Sequence, residues 1–166
     1  MEKTFTLKNQ KKIIVRPLIL SDREHLEKGF HELSHETIRQ RFHSLKKGFT
    51  EAELDFLTRL DGKNHFAIVA LTADTAEGLG VARYIKSLTD QSSAELAIIV
   101  KDSYQGIGLG TILLNEICQH AIENDIKKFT GVMDSQNDKI IRLLKKRPKF
   151  KVHHDHAGLT SLEGLL

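Results

Sequence analysis

The stretch "DSYQGIGLG", residues 102–110, limits this chain more than any other. It sets Gly106, Gly108 and Gly110 between the apolar run "LAIIV" and the segment "TILLNEICQHAI", whose apolar residues recur at helical spacing. Glycines so closely spaced do not continue a strand. A helix N-terminus exposes unpaired backbone N–H groups and the positive end of the helix dipole. Glycines there let the backbone curl tightly and let a ligand approach. Together they suit phosphate or pyrophosphate. A plain turn with a helix cap is the alternative, but it needs only one or two glycines. The segment is not G-x-x-x-x-G-K-[ST], and Thr111 and Ile112 break G-x-G-x-x-G, so neither the P-loop nor the dinucleotide fingerprint is present. What it matches is Gln-x-x-Gly-x-Gly, at Gln105, Gly108 and Gly110.

The rest of the chain alternates in period around this segment. "TFTLKNQKKIIVRP" reads as two short strands around Asn9-Gln10. "SDRE" at 21–24 is a capping-box pattern opening a helix to about Glu32, with Leu26 and Phe30 inward. A weaker helix spans His35–Phe42, and "TEAE" at 50–53 opens a short helix carrying Leu54, Phe56 and Leu57. Residues 65–72, 80–87 and 92–100 then read as three strands joined by short turns, an antiparallel meander. The glycine segment leads into a helix to about Asn124, with Leu113, Leu114, Ile117, Cys118, Ala121 and Ile122 on one apolar face. A strand at 127–133, a helix at "NDKIIRLLKK" and a final strand at "KFKVHHD" follow. Strand, helix, strand makes the 127–133 strand parallel to the 92–100 strand. The expected fold is α+β in three layers: one domain over 1–166, a mixed and mostly antiparallel sheet, and helices on both faces.

Composition narrows the partners. The formal charge of +3 over 166 residues is mildly basic, and no basic stripe with interleaved aromatics points to nucleic acid. The run "LLKKRPKFK" reads as a solvated face. No run approaches the ~18 apolar residues of a membrane span, and "MEKTFTLKNQKK" lacks a signal-peptide centre. Cys118 is the single cysteine, so no internal disulfide is available and a reducing, cytoplasmic setting is expected.

The loop with its flanks resembles the Gcn5-related N-acetyltransferase (GNAT) family. "IIVRPLILSDRE" is similar to its opening strand and helix cap, "AELAIIVKDSYQGIGLGTILLNEI" to its central strand, loop and helix, and "FTGVMDSQNDKIIRLL" to the strand that follows. More narrowly, "RQRFHSLKKGFTEAELDFLTRLD" and "GVARYI" resemble the catalytic domains of bacterial protein lysine acetyltransferases. The resemblance covers roughly residues 12–155. It implies acetyl-CoA as cosubstrate and no metal. Gln105, Gly106, Ile107, Gly108, Leu109, Gly110 and Thr111 would cradle its pyrophosphate. Ile98, Ile99 and Val100, on a strand splayed from its parallel neighbour, would offer backbone groups to the pantetheine arm, and Asn137 stands at the usual asparagine. Two departures stand out: "RPKF" replaces leucine-glycine-phenylalanine, and no tyrosine follows Asn137 to protonate the leaving thiolate. The chain also ends early, so the last strand is expected to be short or to be completed by another subunit, as in a homodimer.

Acetyl transfer needs a neutral amine, and a lysine of pKa about 10.4 supplies roughly one in a few thousand at pH 7. A general base is therefore expected. Glu95 is the candidate: it is the only charge in "AELAIIV" and shares a strand face with Ala97 and Ile99. Glutamates at this strand position serve that role in the lysine acetyltransferases it resembles. The structural alternative is a strand-start glutamate paired with Arg83. "HHDH" at 153–156 has metal-ligand residue types, but strand alternation sends neighbours to opposite faces. His31, His35 and His43 either edge an acceptor cleft or sit on the surface. Tyr84 and Tyr104 are further proton donors by type, with Tyr104 placed to pack on the following helix. The leading reading is an acetyl-CoA-dependent N-acetyltransferase acting on a primary amine, a protein lysine first. A small-amine acetyltransferase and a non-catalytic acyl-CoA sensor are the alternatives.

Overall fold

The computed structural model describes residues 2–155 and 158–166. One eight-stranded sheet runs in the order β1-β2-β3-β4-β5-β6-β8-β7. Its strands are β1 (Lys3–Thr6), β2 (Lys12–Pro17), β3 (His65–Thr72), β4 (Gly78–Lys86), β5 (Ser93–Val100), β6 (Lys128–Asp134), β7 (Phe150–His154) and β8 (Leu159–Leu165). The helices are α1 (Arg23–His31), α2 (His35–Phe42), α3 (Glu51–Thr58), α4 (Leu109–Glu123) and α5 (Asp138–Lys145). The β3–β4–β5 meander is antiparallel as expected, and β6 joins β5 in parallel.

Alternation along β3 and β4 divides the core. Phe66, Ile68, Ala70, Ala82 and Tyr84 turn toward α4 and α5 and join their buried leucines and isoleucines. Ala67, Val69 and Leu71 turn the other way, against Leu18 and the flanks of Leu26 and Leu60. Cys118 is buried within the larger cluster, where desolvation pushes its thiol up to about 11, an inert packing residue. Ile122 departs from the expected apolar face and is half exposed.

Two local readings need correction. Thr50 and Glu53 do form a reciprocal capping box, but Ser21 caps nothing. A 3₁₀ turn occupies 20–22, α1 starts at Arg23, and Asp22 is buried. Its carboxylate accepts two bonds from Arg16 at 2.7 Å and one from the Ile19 N–H at 2.9 Å. A buried ion pair outweighs a surface cap. The C-terminus also differs. "KFKVHHD" is not the final strand: β8 follows it and inserts between β6 and β7 within the same chain, paired to β6 from Lys128 to Asp134. The sequence reading missed this because β8 exposes every second residue and carries few β-branched residues. Of "HHDH", His154 Nδ1 lies 2.9 Å from the Thr160 hydroxyl, and His156 lies outside the described residues.

Burial drives the Asp22 carboxyl upward, but the Arg16 bonds and the Ile19 N–H overcome it and hold the group below the usual carboxylate range. A depressed carboxylate stabilises the fold above its unfolded pKa of about 3.9 and loses that contribution as pH falls further. Asp22→Asn is expected to cost about 3 kcal/mol at neutral pH, measured by urea denaturation, with a smaller acid-induced loss than wild type shows.

Candidate functional site

The site begins where two strands part. β5 pairs with β6 only at Ser93, Ala94 and Glu95, opposite Lys128, Phe129 and Thr130. β5 continues on β4 to Val100, and β6 continues on β8 to Asp134. The edges from Leu96 and Gly131 onward therefore diverge. At the vertex a Cβ on Gly131 would stand 3.3 Å from the Leu96 carbonyl oxygen, so a larger residue would crowd β5. The cleft between the strands has a volume of about 1080 Å³ and is lined by Glu95–Val100, the glycine loop and the start of α5.

The three glycines do different work. Gly106 and Gly108 take positive φ, 77° and 101°, which side chains disfavour. Gly108 is the N-cap of α4 and offers no side-chain cap, so the first turn keeps free N–H groups facing the cleft. Gly110 is helical. Its role is close packing, since a Cβ there would stand 3.1 Å from Leu143 of α5. The Ile107 carbonyl accepts the Lys8 N–H at 3.2 Å, tying the loop to the β1–β2 turn. Gly106, Ile107, Gly108, Gly110 and Thr111 line the cleft, while Leu109 is fully buried in the core behind it.

Gln105 is a brace. Its amide donates to the Val100 carbonyl at 2.9 Å and its oxygen accepts from Lys139 at 2.6 Å. The Val100 carbonyl is thus already bonded, leaving the groups of Ile98 and the Val100 N–H on the open edge; the β4 register, continued by the Lys101 N–H on the Leu79 carbonyl, turns the groups of Ile99 to Val81 instead, which corrects its expected role. Asn137 lines the cleft and caps α5, accepting the Ile140 N–H at 3.2 Å. Lys8, Lys139 and Arg142 also line this end, a cationic rim that sequence spacing did not reveal.

Helix α2 spans the cleft mouth. Ser34 and Thr37 bond the Asp102 carboxylate at 2.8–3.0 Å, and Arg39 pairs with Asp134 at 2.5 Å. Below α2 lies Glu95, exposed, at the last residue pair before the strands part. It does not pair with Arg83. Arg83 is buried, donates to the Leu57 carbonyl at 3.4 Å and to His65 Nε2 at 3.1 Å, and is opposite Ala97 in register. Arg41 of α2 lines the cleft with Glu95. Burial lowers its pKa while the Glu95 charge raises it. Burial, then the nearby Arg41 charge, brings Arg83 down to about 10. Arg83 carried a signal in the sequence, as a charge set between Ala82 and Tyr84 inside an apolar strand; nothing in α2 distinguished Arg41.

Of the histidines, His43 borders the cleft, and His31 and His35 are exposed outside it. No tyrosine lines the cleft among the described residues. Tyr104 packs in the core as expected and accepts from Lys11 at 3.2 Å, while Tyr84 is fully buried with its hydroxyl 3.0 Å from His120 Nδ1. Among the described residues no group of three His, Cys, Asp or Glu is placed to hold a metal, and no helix is long and apolar enough to cross a membrane.

A parted parallel pair above a glycine-rich helix start is the arrangement the resemblance implied, and comparison with known proteins decides its lineage. The pattern of the family described as "Acetyltransferase (GNAT) family" matches residues 30–147. The chain belongs to that family. A curated relative, "Acetyltransferase Pat" of Mycolicibacterium smegmatis, is 30% identical over 123 residues, covering 74% of this chain and 37% of its own length. The chain thus spans little more than a third of that relative. The crystal structure of the GNAT domain of S. lividans PAT superposes with a TM-score of 0.91 at 23% identity, covering 99% of this chain and 97% of that one. An acetyltransferase from Salmonella typhimurium, solved with its cofactor acetyl-CoA, gives a TM-score of 0.74 at 18% identity over 93% of this chain and 94% of that one.

His65 stands between Arg83 and solvent. Burial, then the Arg83 charge, pushes it down to about 4 from an ordinary 6.5. The unfolded chain therefore binds a proton that the folded chain refuses between those values. Stability is full above about 6.5 and falls as pH drops toward about 4. His65→Gln, which keeps an acceptor for Arg83, is expected to flatten this part of the melting temperature against pH.

Proposed function

We propose that this GNAT-family chain transfers the acetyl group of acetyl-CoA to a primary amine, with a protein lysine as the acceptor. The parting of β5 and β6 directly above the Gly106–Gly108 turn carries the reading. It leaves one strand edge open beside a ring of backbone donors, which suits an amide-rich arm ending in a pyrophosphate. Lys8, Lys139 and Arg142 add cationic charge at the end where phosphates would lie. The Salmonella neighbour with acetyl-CoA supports the cosubstrate, and the resemblance of "RQRFHSLKKGFTEAELDFLTRLD" to the catalytic domains of protein lysine acetyltransferases supports a protein acceptor. The lone buried cysteine supports a reducing, cytoplasmic setting.

Acetyl-CoA supplies a thioester, an acyl donor that an uncharged amine can attack. The chain's own residues do the rest. Ile98, the Val100 N–H and the loop N–H groups hold the donor by main chain. Glu95, at the vertex of the cleft, takes the amine proton directly or through one water as the C–N bond forms and the C–S bond breaks. With no tyrosine on the cleft wall, the thiolate leaves to solvent, tolerable for a thiol of pKa about 8.5. That same lack favours the second reading, a non-catalytic acyl-CoA sensor; it predicts binding without turnover on any protein or amine.

Two variants test this. Gly108→Asp places a carboxylate at the anion site; its Cβ would meet only Lys8, at 3.8 Å, and Asp tolerates positive φ better than most residues. Calorimetry should show acetyl-CoA binding lost while the circular dichroism of the fold is kept. Glu95→Gln should lower kcat by ~10²–10⁴, leave acetyl-CoA affinity nearly unchanged, and recover in part at high pH where more of the amine is neutral. Wild-type kcat in Glu95→Gln at pH 7 would remove Glu95 as the base.

A further inference from the structure

The acceptor side of the cleft carries more positive charge than the chemistry above uses. Strand alternation and the β4–β5 register put Glu95, Ala97 and Arg83 on the face beneath α2. Arg41 descends onto that face from α2 and lines the cleft beside Glu95. Its guanidinium has five N–H donors, yet among the described residues it makes no hydrogen bond and no ion pair. Its one close partner is the Phe42 ring, 5.1 Å from centroid to guanidinium carbon. None of its nitrogens is sealed away without a partner, and the side chain borders both the cleft and the smaller cavity beside Arg83 and Leu57.

The neighbours cannot supply the missing anion. Glu95 acts on Arg41 through its charge without coming within ion-pair distance. Asp22 is bonded to Arg16, and Glu32 and Glu77 to Lys101. Arg83 is held by Leu57 and His65. Beneath α2, two guanidiniums thus face a single carboxylate. The accessible donors of Arg41 are free to take an anion, and a planar fork fits a carboxylate with two bonds.

We propose that Arg41 reads a carboxylate on the acceptor, so that the amines this site takes carry an acid group close to the reacting nitrogen. The inference rests on the acetyl-transfer reading and deepens it. Bonded to Arg41, the acid group fixes the amine near Glu95, and it neutralises the surplus charge while Glu95 gives up its own charge to the amine proton. The carboxylate belongs either to an acidic residue flanking a protein lysine or to a free amino acid.

Two matched pairs distinguish these sources: a lysine peptide with Asp or Asn beside the lysine, and L-lysine against L-lysinamide. In wild type the acidic member of a pair should have kcat/KM about ten- to a hundredfold higher, expressed in KM. Preference within the peptides alone assigns a protein acceptor; preference within the free amines alone assigns an amino acid. Arg41→Ala should bring the ratio close to one, and Arg41→Lys should keep part of it. A merely structural Arg41 would lower both members equally, which overturns the proposal, as does a wild type with no preference in either pair. Absence of acetyl-CoA binding in a calorimeter would instead defeat the acetyl-transfer reading. The same pairs titrated into the protein alone then decide Arg41: tighter binding of the acidic member supports the proposal, and equal or absent binding ends it.

Discussion

Everything at the site depends on β5 and β6 ceasing to pair after three residues. Each strand keeps its outer neighbour to the end, β4 for β5 and β8 for β6. The sheet can therefore open in its middle without freeing either strand. An open edge in a sheet interior is costly unless something bonds to it. Here part of that demand is met from within, by Gln105 on the Val100 carbonyl, and part is left on Ile98 and the Val100 N–H. The β7–β8 hairpin matters for this reason: β8 holds β6 along its whole length, and without it β6 would have a single three-residue attachment.

Second in importance is how α2 is held over the opening. Asp102 fixes its N-terminus from the β5 side, and Asp134 fixes Arg39 from the β6 side. A helix with this many charges and a modest apolar stripe would not dock by burial alone. Buried Ile38 and the packing of Phe42 on Phe30 and Phe49 are joined by the two carboxylates, one just beyond β5 and one at the end of β6. The width of the cleft and the position of Arg41 are thereby set by the same contacts.

Much of this was legible in the sequence, for physical reasons that differ by element. The meander, α4 and the parallel β6 followed from period changes and glycine punctuation, because burial on both faces of β3 and one face of α4 writes a strong pattern. Gly106 and Gly108 were legible because positive φ excludes most side chains. Gly110 sits in the same motif for another reason, the approach of α5, which no local rule encodes. β8 was missed because a half-exposed strand with Ser, Thr, Glu and Gly has weak propensity and is fixed by tertiary pairing to β6. Ser21 was misread because the buried pair of Arg16 and Asp22 redirects the chain there. Arg41 could not be singled out among the charges of α2, since its burial is decided by Asp102 and Asp134, far away in sequence.

The charge distribution links the two ends of the cleft. A formal +3 on 166 residues produces little long-range field. The cations that line the opening are instead local: Lys8, Lys139 and Arg142 beside the glycine loop, Arg41 beside Glu95. Between them the wall is apolar, supplied by Leu96, Ile98 and Val100, whose side chains pack on the core. Charge at both ends with an apolar middle favours ligands charged at their extremities and neutral at the point of reaction. An acyl transfer requires that middle, because both the thioester and the attacking amine must be uncharged where they meet. Glu95 stands at the boundary between the two regimes, exposed at the last paired residue of β5 and facing the cleft that Arg41 also lines.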